Sequence, residues 1–296
     1  MNDIGFVGLG SMGAHIARHL STAGFNLHVF DRNAEVLERC AAFGAMVHSS
    51  PLEVANAAEA VFVCLPTPDI VKDVALGDNG LVHGTRIKIF VDLSTTGPGM
   101  AVEVADGLSK RQITALDGPL AGGVAGAEAG SLSVMVSGAR WAFEALEPAL
   151  RSFGRNVVHV GHDVGQGQAL KLINNMIVGA NLIVATEAVL YGVRFGLSAD
   201  VILDMINAST GRSFVTEEIL GKNVIDRQFS FGFRLELMRK DLRLCVNEAD
   251  AIGAPMMVSA LAKQFYERAY AHGRGHEDMT VVVKELEEAV GVKIEK

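Results

Sequence analysis

Three glycines near the start of the chain have the spacing of a phosphate-binding loop. Gly8, Gly10 and Gly13 form the pattern G-x-G-x-x-G between an apolar run that predicts a strand and a pattern that predicts a helix. In such a loop the first glycine permits a tight turn, the second lets the backbone approach a pyrophosphate, and the third allows close helix packing. We therefore predict a dinucleotide site. Its loop residues are Gly8, Leu9, Gly10, Ser11, Met12 and Gly13.

An acidic residue follows at the distance expected for the ribose of that dinucleotide. Asp31 ends the second predicted strand, where a carboxylate accepts hydrogen bonds from both ribose hydroxyls and repels a 2′-phosphate. Arg32 beside it is either a cation for a 2′-phosphate or a solvated turn residue. We expect NAD as the cofactor, with NADP as the second candidate.

A single lysine interrupts a long apolar stretch in the second half of the chain. Lys171 is the one charged residue in the span 171–186, and an unpaired charge in an apolar core is costly. Asn175 lies one helical turn further on the same face, whereas Asn174 is expected to point elsewhere. Partial desolvation disfavours an ammonium, which makes such a lysine usable as an acid or base. The alternative interpretation is a lysine that snorkels to solvent at a helix start.

Two loops follow predicted strands at the edge where doubly wound sheets bind ligands. Residues 92–98, DLSTTGP, are rich in hydroxyl groups. Residues 117–126, DGPLAGGVAG, contain the paired Gly122 and Gly123, whose backbone N–H groups could bind a carboxylate. Taken alone, each loop is better explained as a turn than as a site.

The elements that must position these residues follow from the periodicity of the chain. Short apolar runs at 4–7, 27–30, 60–65, 87–93, 113–116, 132–136 and 157–160 alternate with amphipathic stretches such as 14–23 and 139–153. Beyond about residue 161, helical periodicity predicts helices near 168–195, 198–208, 237–252, 255–272 and 277–290, with Pro255 in a first turn. We predict an α/β fold: an N-terminal doubly wound Rossmann-like domain, residues 1–162, followed by an all-α C-terminal domain, residues 163–296.

Composition argues against several classes of protein. Of the 296 residues, 49% are apolar and 20% charged, which suits two compact domains. The net charge of −8 disfavours nucleic acid and an anionic membrane surface as partners. Three asparagines in the long apolar stretch disfavour a transmembrane span, and no export signal is visible. Three widely spaced cysteines favour a reducing compartment, so we expect a cytoplasmic protein.

Five ordered motifs resemble those of the β-hydroxyacid dehydrogenase family, which includes 3-hydroxyisobutyrate dehydrogenases, tartronate semialdehyde reductases and L-threonate dehydrogenases. They are GFVGLGSMG, the hydroxyl loop at 94–98, DGPLAGG, G-x-G-x-x-x-K-x-x-N-N at 165–175, and Lys240-Asp241-Leu242, and together they cover nearly the whole chain. The resemblance implies an oxidoreductase that transfers a hydride between NAD(P) and a small β-hydroxy acid or its semialdehyde or keto acid.

The resemblance also implies roles for single residues. It makes Lys171 the catalytic acid/base. The implied substrate-binding residues are Ser94, Gly122, Gly123 and Asn175. The implied cofactor contacts outside the glycine loop are Thr95 and Lys240 at the nicotinamide end, and Leu65 and Pro66 beside the ribose.

One departure from the family bears on the substrate. The family usually has serine before the paired glycines, whereas this chain has Ala121. A lost hydroxyl contact should change which hydroxy acid is accepted, so the resemblance does not identify 3-hydroxyisobutyrate as the substrate. Arg212, in the sequence Thr-Gly-Arg-Ser, is either a further polar contact or a surface residue.

Two other functions on this scaffold remain as alternatives. An imine reductase generally carries another residue where Lys171 stands, and a non-catalytic dinucleotide-binding module would not need both Lys171 and Asn175. The decarboxylating phosphogluconate enzymes are considerably longer. We expect no metal, because the histidine pairs at 15 and 19 and at 272 and 276 are better explained as surface residues. Long apolar helices commonly pair across a symmetric interface, so we expect a homodimer or homotetramer.

Overall fold

Nine strands form one sheet in the computed structural model, which describes residues 1–296. They are β1 Asp3–Val7, β2 Asn26–Phe30, β3 Met46–Val47, β4 Ala60–Val63, β5 Ile89–Asp92, β6 Thr114–Asp117, β7 Leu120–Ala121, β8 Leu132–Gly138 and β9 Gly154–Gly161. The strand order is β3-β2-β1-β4-β5-β6-β8-β7, with β9 beside β8. The first six strands of this order are parallel, and β8 runs antiparallel to both β6 and β7.

Helices cover both faces of the sheet. They are α1 Gly13–Thr22, α2 Ala34–Ala41, α3 Pro51–Ala57, α4 Pro68–Leu76, α5 Pro98–Ser109, α6 Gly123–Glu128 and α7 Arg140–Phe153. Alternate strand residues point to opposite faces: Ile4 and Phe6 pack in a core with α1, α2, α6 and α7, whereas Val7 packs in a core with α3, α4 and α5. This is the doubly wound arrangement that the sequence predicted.

The second half of the chain is helical. Its helices are α8 Gln166–Phe195, α9 Ala199–Asn207, α10 Leu235–Ala251, α11 Met257–Ala271 and α12 Val282–Val290, with a π-helix at Val215–Val224 and a 3₁₀ turn at Met279–Val281. The chain divides into two compact units, Met1–Lys171 and Leu172–Lys296, and the division falls inside α8. The second unit has its own core, in which the fully buried Tyr266 donates its hydroxyl to the Gly179 carbonyl at 3.1 Å.

Helix α8 is long and apolar enough to cross a membrane by length and composition. Its side chains nevertheless contribute to the core of the second unit, among them Leu172, Met176, Leu182 and Ile183. We interpret α8 as a core helix.

The predicted fold class is confirmed, and the differences are local. Strands β3 and β7 have two residues each, too few to give an alternating pattern. Pro255 does not lie in the first turn of a helix, because Met256 has a ψ of 66° and α11 begins only at Met257. The π-helix was not predicted, since its wider turn does not give the 3.6-residue repeat of an α-helix.

Candidate active site

The glycine turn connects the carboxyl end of β1 to α1. Gly8 has a φ of +94°, and a Cβ there would collide with the Cys64 carbonyl oxygen. A Cβ on Gly13 would collide with the Gly8 carbonyl oxygen, because α1 packs closely on the turn. Gly10 is exposed, and no atom lies within 4 Å of the place its Cβ would take. The turn thus presents an open backbone surface that fits the pyrophosphate of a dinucleotide.

Asp31 follows β2 and lies beside the glycine turn. Its Oδ2 accepts a hydrogen bond from the Leu9 N–H at 2.6 Å, and its Oδ1 accepts one from the Asn33 N–H at 2.9 Å. These two bonds fix the orientation of the carboxylate. The remaining residues predicted here are the exposed Arg32 and Ser11, and Met12, which is the N-cap of α1.

The strand order reverses between β1 and β4, the kind of point at which doubly wound sheets bind ligands. Leu65 and Pro66 lie two and three residues after the end of β4, and the Leu65 N–H donates to Ser94 Oγ at 2.9 Å. Ser94 follows β5 and is buried, and Thr95 after it is half-buried. The structure therefore joins the loops after β4 and β5, which carry four of the predicted site residues.

Two buried carboxylates end β5 and β6 as register partners, Asp92 and Asp117. Burial raises the pKa of Asp92 to about 6, against hydrogen bonds from the Ser94 N–H at 2.8 Å and the Thr96 hydroxyl at 2.9 Å. Burial also raises the pKa of Asp117, which accepts a bond from the Ser137 hydroxyl at 2.7 Å. Sequence reasoning assigned neither aspartate a role, although a charged residue at the end of a buried strand was an available signal.

The first turn of α8 rests on Asp117. The Gly165 N–H donates to Asp117 Oδ1 at 2.7 Å, and the Gln168 N–H donates to Asp117 Oδ2 at 2.8 Å. Lys171 follows Gln168 by three residues, is 9% exposed, and is the last residue of the first unit. The predicted acid/base thus stands one turn after a helix start that is tied to the carboxyl edge of the sheet.

Asn175 lies four residues beyond Lys171 on α8 and is also buried. Its Nδ2 donates to Asp241 Oδ2 at 2.7 Å, and its Oδ1 accepts a bond from Asn174 Nδ2 at 3.0 Å. Asn174 itself is exposed, as expected for a side chain on another face of the helix, and only its amide group contacts Asn175. Lys240 Nζ lies 3.0 Å from Asp241 Oδ1. The second unit brings Asn175 and Lys240 together through an aspartate to which sequence reasoning gave no role.

The remaining sequence candidates are on the surface. Gly122, after β7, and Gly123, the first residue of α6, are exposed, with φ of +126° and +62°, and Ala121 before them is half-buried. Arg212 is exposed, and its Nε lies 3.7 Å from Glu217 in a surface ion pair. No three histidine, cysteine, aspartate or glutamate side chains are placed together to hold a metal ion.

Two family models together match almost the whole chain. Residues 3–161 match the NAD binding domain of 6-phosphogluconate dehydrogenase. Residues 165–286 match a model described as NAD-binding of NADP-dependent 3-hydroxyisobutyrate dehydrogenase. The two matches follow the order of the sheet and the helical part.

Named relatives match over nearly their full length. The 2-(hydroxymethyl)glutarate dehydrogenase of Eubacterium barkeri is 34% identical, over 98% of this chain and 97% of its own. The probable mitochondrial 3-hydroxyisobutyrate dehydrogenase of Dictyostelium discoideum is 38% identical, over 94% of this chain and 89% of its own. The solved structure of Mycobacterium tuberculosis 3-hydroxyisobutyrate dehydrogenase with L-serine has a TM-score of 0.88 and 30% identity, over 97% and 99% of the two chains.

The fold and the matched models define a dinucleotide-binding oxidoreductase with a helical second part. The chain belongs to the β-hydroxyacid dehydrogenase family. It is an NAD(P)-dependent dehydrogenase that acts on the alcohol group of small hydroxy acids.

The glycine turn offers a matched pair of substitutions. Gly13→Ala should lower the melting temperature by several degrees, because its methyl group would collide with the Gly8 carbonyl. Gly10→Ala has open space and should keep the wild-type melting temperature, yet weaken NADH binding about tenfold or more, because its methyl group covers the surface meant for the pyrophosphate. Thermal unfolding and fluorescence titration with NADH measure the two effects. Wild-type affinity in Gly10→Ala would refute this assignment of the turn.

The raised pKa of Asp92 predicts a pH dependence of stability. A carboxyl with a pKa of 3.8 unfolded and about 6 folded holds its proton more tightly in the fold, so its ionisation costs stability as the pH rises through this range. Asp92→Asn removes this cost. Relative to the variant, the wild type should gain about 1 kcal/mol of unfolding free energy between pH 7 and pH 5. Urea unfolding at both pH values measures the change, and a constant difference between the two proteins would contradict it.

Proposed function

We propose that Lys171 is the general acid/base of this dehydrogenase. The observation that carries the proposal is a buried lysine one turn after a helix start that is hydrogen-bonded to the carboxyl edge of the sheet. Burial of an ammonium is costly, so a lysine at this position requires polar groups around its Nζ atom. In the oxidative direction Lys171 Nζ accepts the proton of the substrate hydroxyl, and in the reductive direction it returns that proton.

The cofactor contacts follow from the same edge of the sheet. The pyrophosphate lies on the glycine turn and the adenosine ribose on Asp31, and the bound dinucleotide accepts or supplies the hydride. The turn residues are Gly8, Leu9, Gly10, Ser11, Met12 and Gly13. Beyond the turn, the proposed contacts are Asp31, Arg32, Leu65, Pro66, Thr95 and Lys240. The oriented carboxylate of Asp31 supports NAD over NADP.

We assign substrate binding to Ser94, Gly122, Gly123 and Asn175. Ser94 and the backbone N–H groups of Gly122 and Gly123 bind its polar groups, the two glycines taking the carboxylate. Asn175 orients the substrate beside Lys171, and its amide is itself held by Asp241. In this proposal the contacts orient the hydroxyl of the substrate toward Lys171 and its alcohol carbon toward the dinucleotide, and no metal ion takes part.

The substrate class is a small acid with a primary alcohol one carbon away from the carbon that bears the carboxylate. Two relatives are named for acids of this kind, 2-(hydroxymethyl)glutarate and 3-hydroxyisobutyrate. Oxidation of such an alcohol by NAD gives the semialdehyde, NADH and a proton. Ala121 offers no hydroxyl where the family usually has one, so we expect a different preference among these acids from that of the serine-bearing members.

We propose separate roles for the two parts of the chain: residues 1–162 bind the cofactor, and residues 163–296 bind the substrate and form the oligomer. Free thiols at Cys40, Cys64 and Cys245 favour the cytoplasm, where thiols stay reduced. An imine reductase and a non-catalytic dinucleotide-binding module are the alternative functions, and neither explains a buried lysine followed by a buried asparagine one turn later.

We further propose that two copies associate through α8. Exposed apolar side chains recur along one stripe of this helix. A continuous exposed apolar surface of this kind is typical of a protein–protein interface. The stripe consists of Ile173, Ile177, Val184, Tyr191 and Phe195. A two-fold antiparallel pairing of this stripe would be centred on Val184, with Ile177 of one copy opposite Tyr191 of the other and Ile173 opposite Phe195. All these side chains are exposed.

Lys171→Ala tests the catalytic assignment. We expect a folded protein that binds NADH with wild-type affinity and loses turnover by about three orders of magnitude or more. Lys110→Ala, at an exposed site after α5, is the matched control. The assay is a spectrophotometric screen of C3 to C6 hydroxy acids and their semialdehydes, with NAD and NADP in parallel. Near wild-type turnover in Lys171→Ala would reject the assignment, and imine reduction without alcohol oxidation would favour the first alternative.

Charge insertion tests the association through α8. Val184→Glu and Tyr191→Glu should each weaken the dimer about tenfold or more, because each places carboxylates in the apolar interface twice. Lys110→Glu, at an exposed site after α5, is the matched control and should keep the wild-type mass. Light scattering over a dilution series gives the mass. A wild type that is monomeric at micromolar concentration, or single variants with unchanged mass, would reject the proposal.

A further inference from the structure

Gln168 is a fully buried polar side chain that the proposed mechanism does not use. It is the third residue of α8 and lies three residues before Lys171. A buried amide must form hydrogen bonds, because leaving its donors and acceptor unpaired costs several kcal/mol, about 1–3 per group. Its partners therefore reveal which part of the fold it holds in place.

The side chain of Gln168 binds the backbone of the hydroxyl loop, about seventy residues earlier in the chain. Its Oε1 accepts hydrogen bonds from the Thr96 N–H at 2.9 Å and the Gly97 N–H at 3.2 Å. Its Nε2 donates to the Ser94 carbonyl at 2.9 Å. One amide thus satisfies three backbone groups on both sides of Thr95.

The backbone of Gln168 is fixed independently of its side chain. Its N–H donates to Asp117 Oδ2 at 2.8 Å, and the Gly167 N–H donates to Ser137 Oγ at 2.9 Å. A Cβ on Gly167 would collide with the Met135 carbonyl, so the helix start lies directly against β8. The backbone of Gln168 is therefore held in place by the sheet, and its side chain extends from there to the loop.

We propose that Gln168 is a positioning residue that sets the place of the loop at 94–97 relative to Lys171. The inference rests on the proposed function, in which Lys171 moves the proton, Ser94 binds substrate and Thr95 contacts the cofactor. Lys171 lies one turn beyond Gln168 on the same helix. The hydrogen bonds of the Gln168 amide therefore fix the position of the loop at 94–97 relative to Lys171. Proton and hydride transfer require the reacting groups to be held within fractions of an ångström.

A purely structural role would give a different result from a positioning role. Gln168→Met keeps the length of the side chain and removes all three hydrogen bonds. We expect kcat to fall about 100-fold while the KM for the best acid of the substrate screen changes less than threefold. A larger primary deuterium isotope effect on kcat should accompany the loss. Gln166→Met, at an exposed position in the same turn, is the matched control and should behave as wild type.

A second variant carries a pH signature. A protonated glutamate at position 168 can accept from Thr96 and Gly97 and donate to the Ser94 carbonyl, as the amide does. When ionised it loses that donor. It also lies close to two buried carboxylates, because the Gln168 N–H donates to Asp117 and Thr96, which contacts the Gln168 side chain, donates its hydroxyl to Asp92. Lys171 is the nearby basic residue, one turn further along α8. The ratio of the kcat of Gln168→Glu to the wild-type kcat at the same pH should therefore be highest near pH 6 and fall as the pH rises to 8. Gln166→Glu should show no such trend.

Hydrogen exchange supplies a readout that does not depend on turnover. The amides of Thr96 and Gly97 should exchange about tenfold faster or more in Gln168→Met than in Gln166→Met, because their acceptor is gone. Unchanged exchange, a kcat within threefold of the control, or loss of the fold in both position-168 variants would overturn the proposal. A wild type that oxidises no hydroxy acid would instead reject the proposed function, and the exchange result would still report on the loop.

Discussion

The buried hydrogen bonds at the start of α8 are the constraint on which the site depends. A helix start presents backbone N–H groups without helical partners, and here they lie inside the protein, where each needs an acceptor. Asp117 accepts two of them and Ser137 a third. Because these acceptors belong to β6 and β8, the helix that carries Lys171 cannot shift without breaking bonds to the sheet. The cost of leaving such groups unpaired explains why a carboxylate remains buried despite its raised pKa.

The same edge of the sheet carries the nucleotide turn and the hydroxyl loop. Parallel strands of a doubly wound sheet all end at one edge, so loops that are far apart in sequence meet there. Leu65 after β4 contacts Ser94 after β5, and Leu9 after β1 contacts Asp31 after β2. Each contact uses one backbone N–H and one side-chain oxygen. The sheet thus brings the loops together, and the Ser94 and Asp31 side chains supply the oxygens that join them.

The helical half is stabilised mainly by an apolar core. Its core is a continuous apolar cluster, and two buried polar side chains of this half, Asn175 and Asp241, are hydrogen-bonded to each other. Helix α8 contributes to that core on one side and presents apolar side chains to solvent on another. A helix with apolar residues on so much of its circumference is suited to contacts on more than one side.

The sequence alone determined the elements and the chemistry with local signatures. Alternating and helical periodicities predicted the sheet and the helices, and the glycine pattern with Asp31 predicted the nucleotide turn, because each depends on residues close together in the chain. Motif order supplied Lys171 through a family resemblance. Only the tertiary structure decided the roles of Asp92, Asp117, Gln168 and Asp241, since each acts through partners on other elements. A single buried polar residue produces no periodic pattern in the sequence. Its role depends on which strand end or loop the fold brings within hydrogen-bonding distance, about 3 Å.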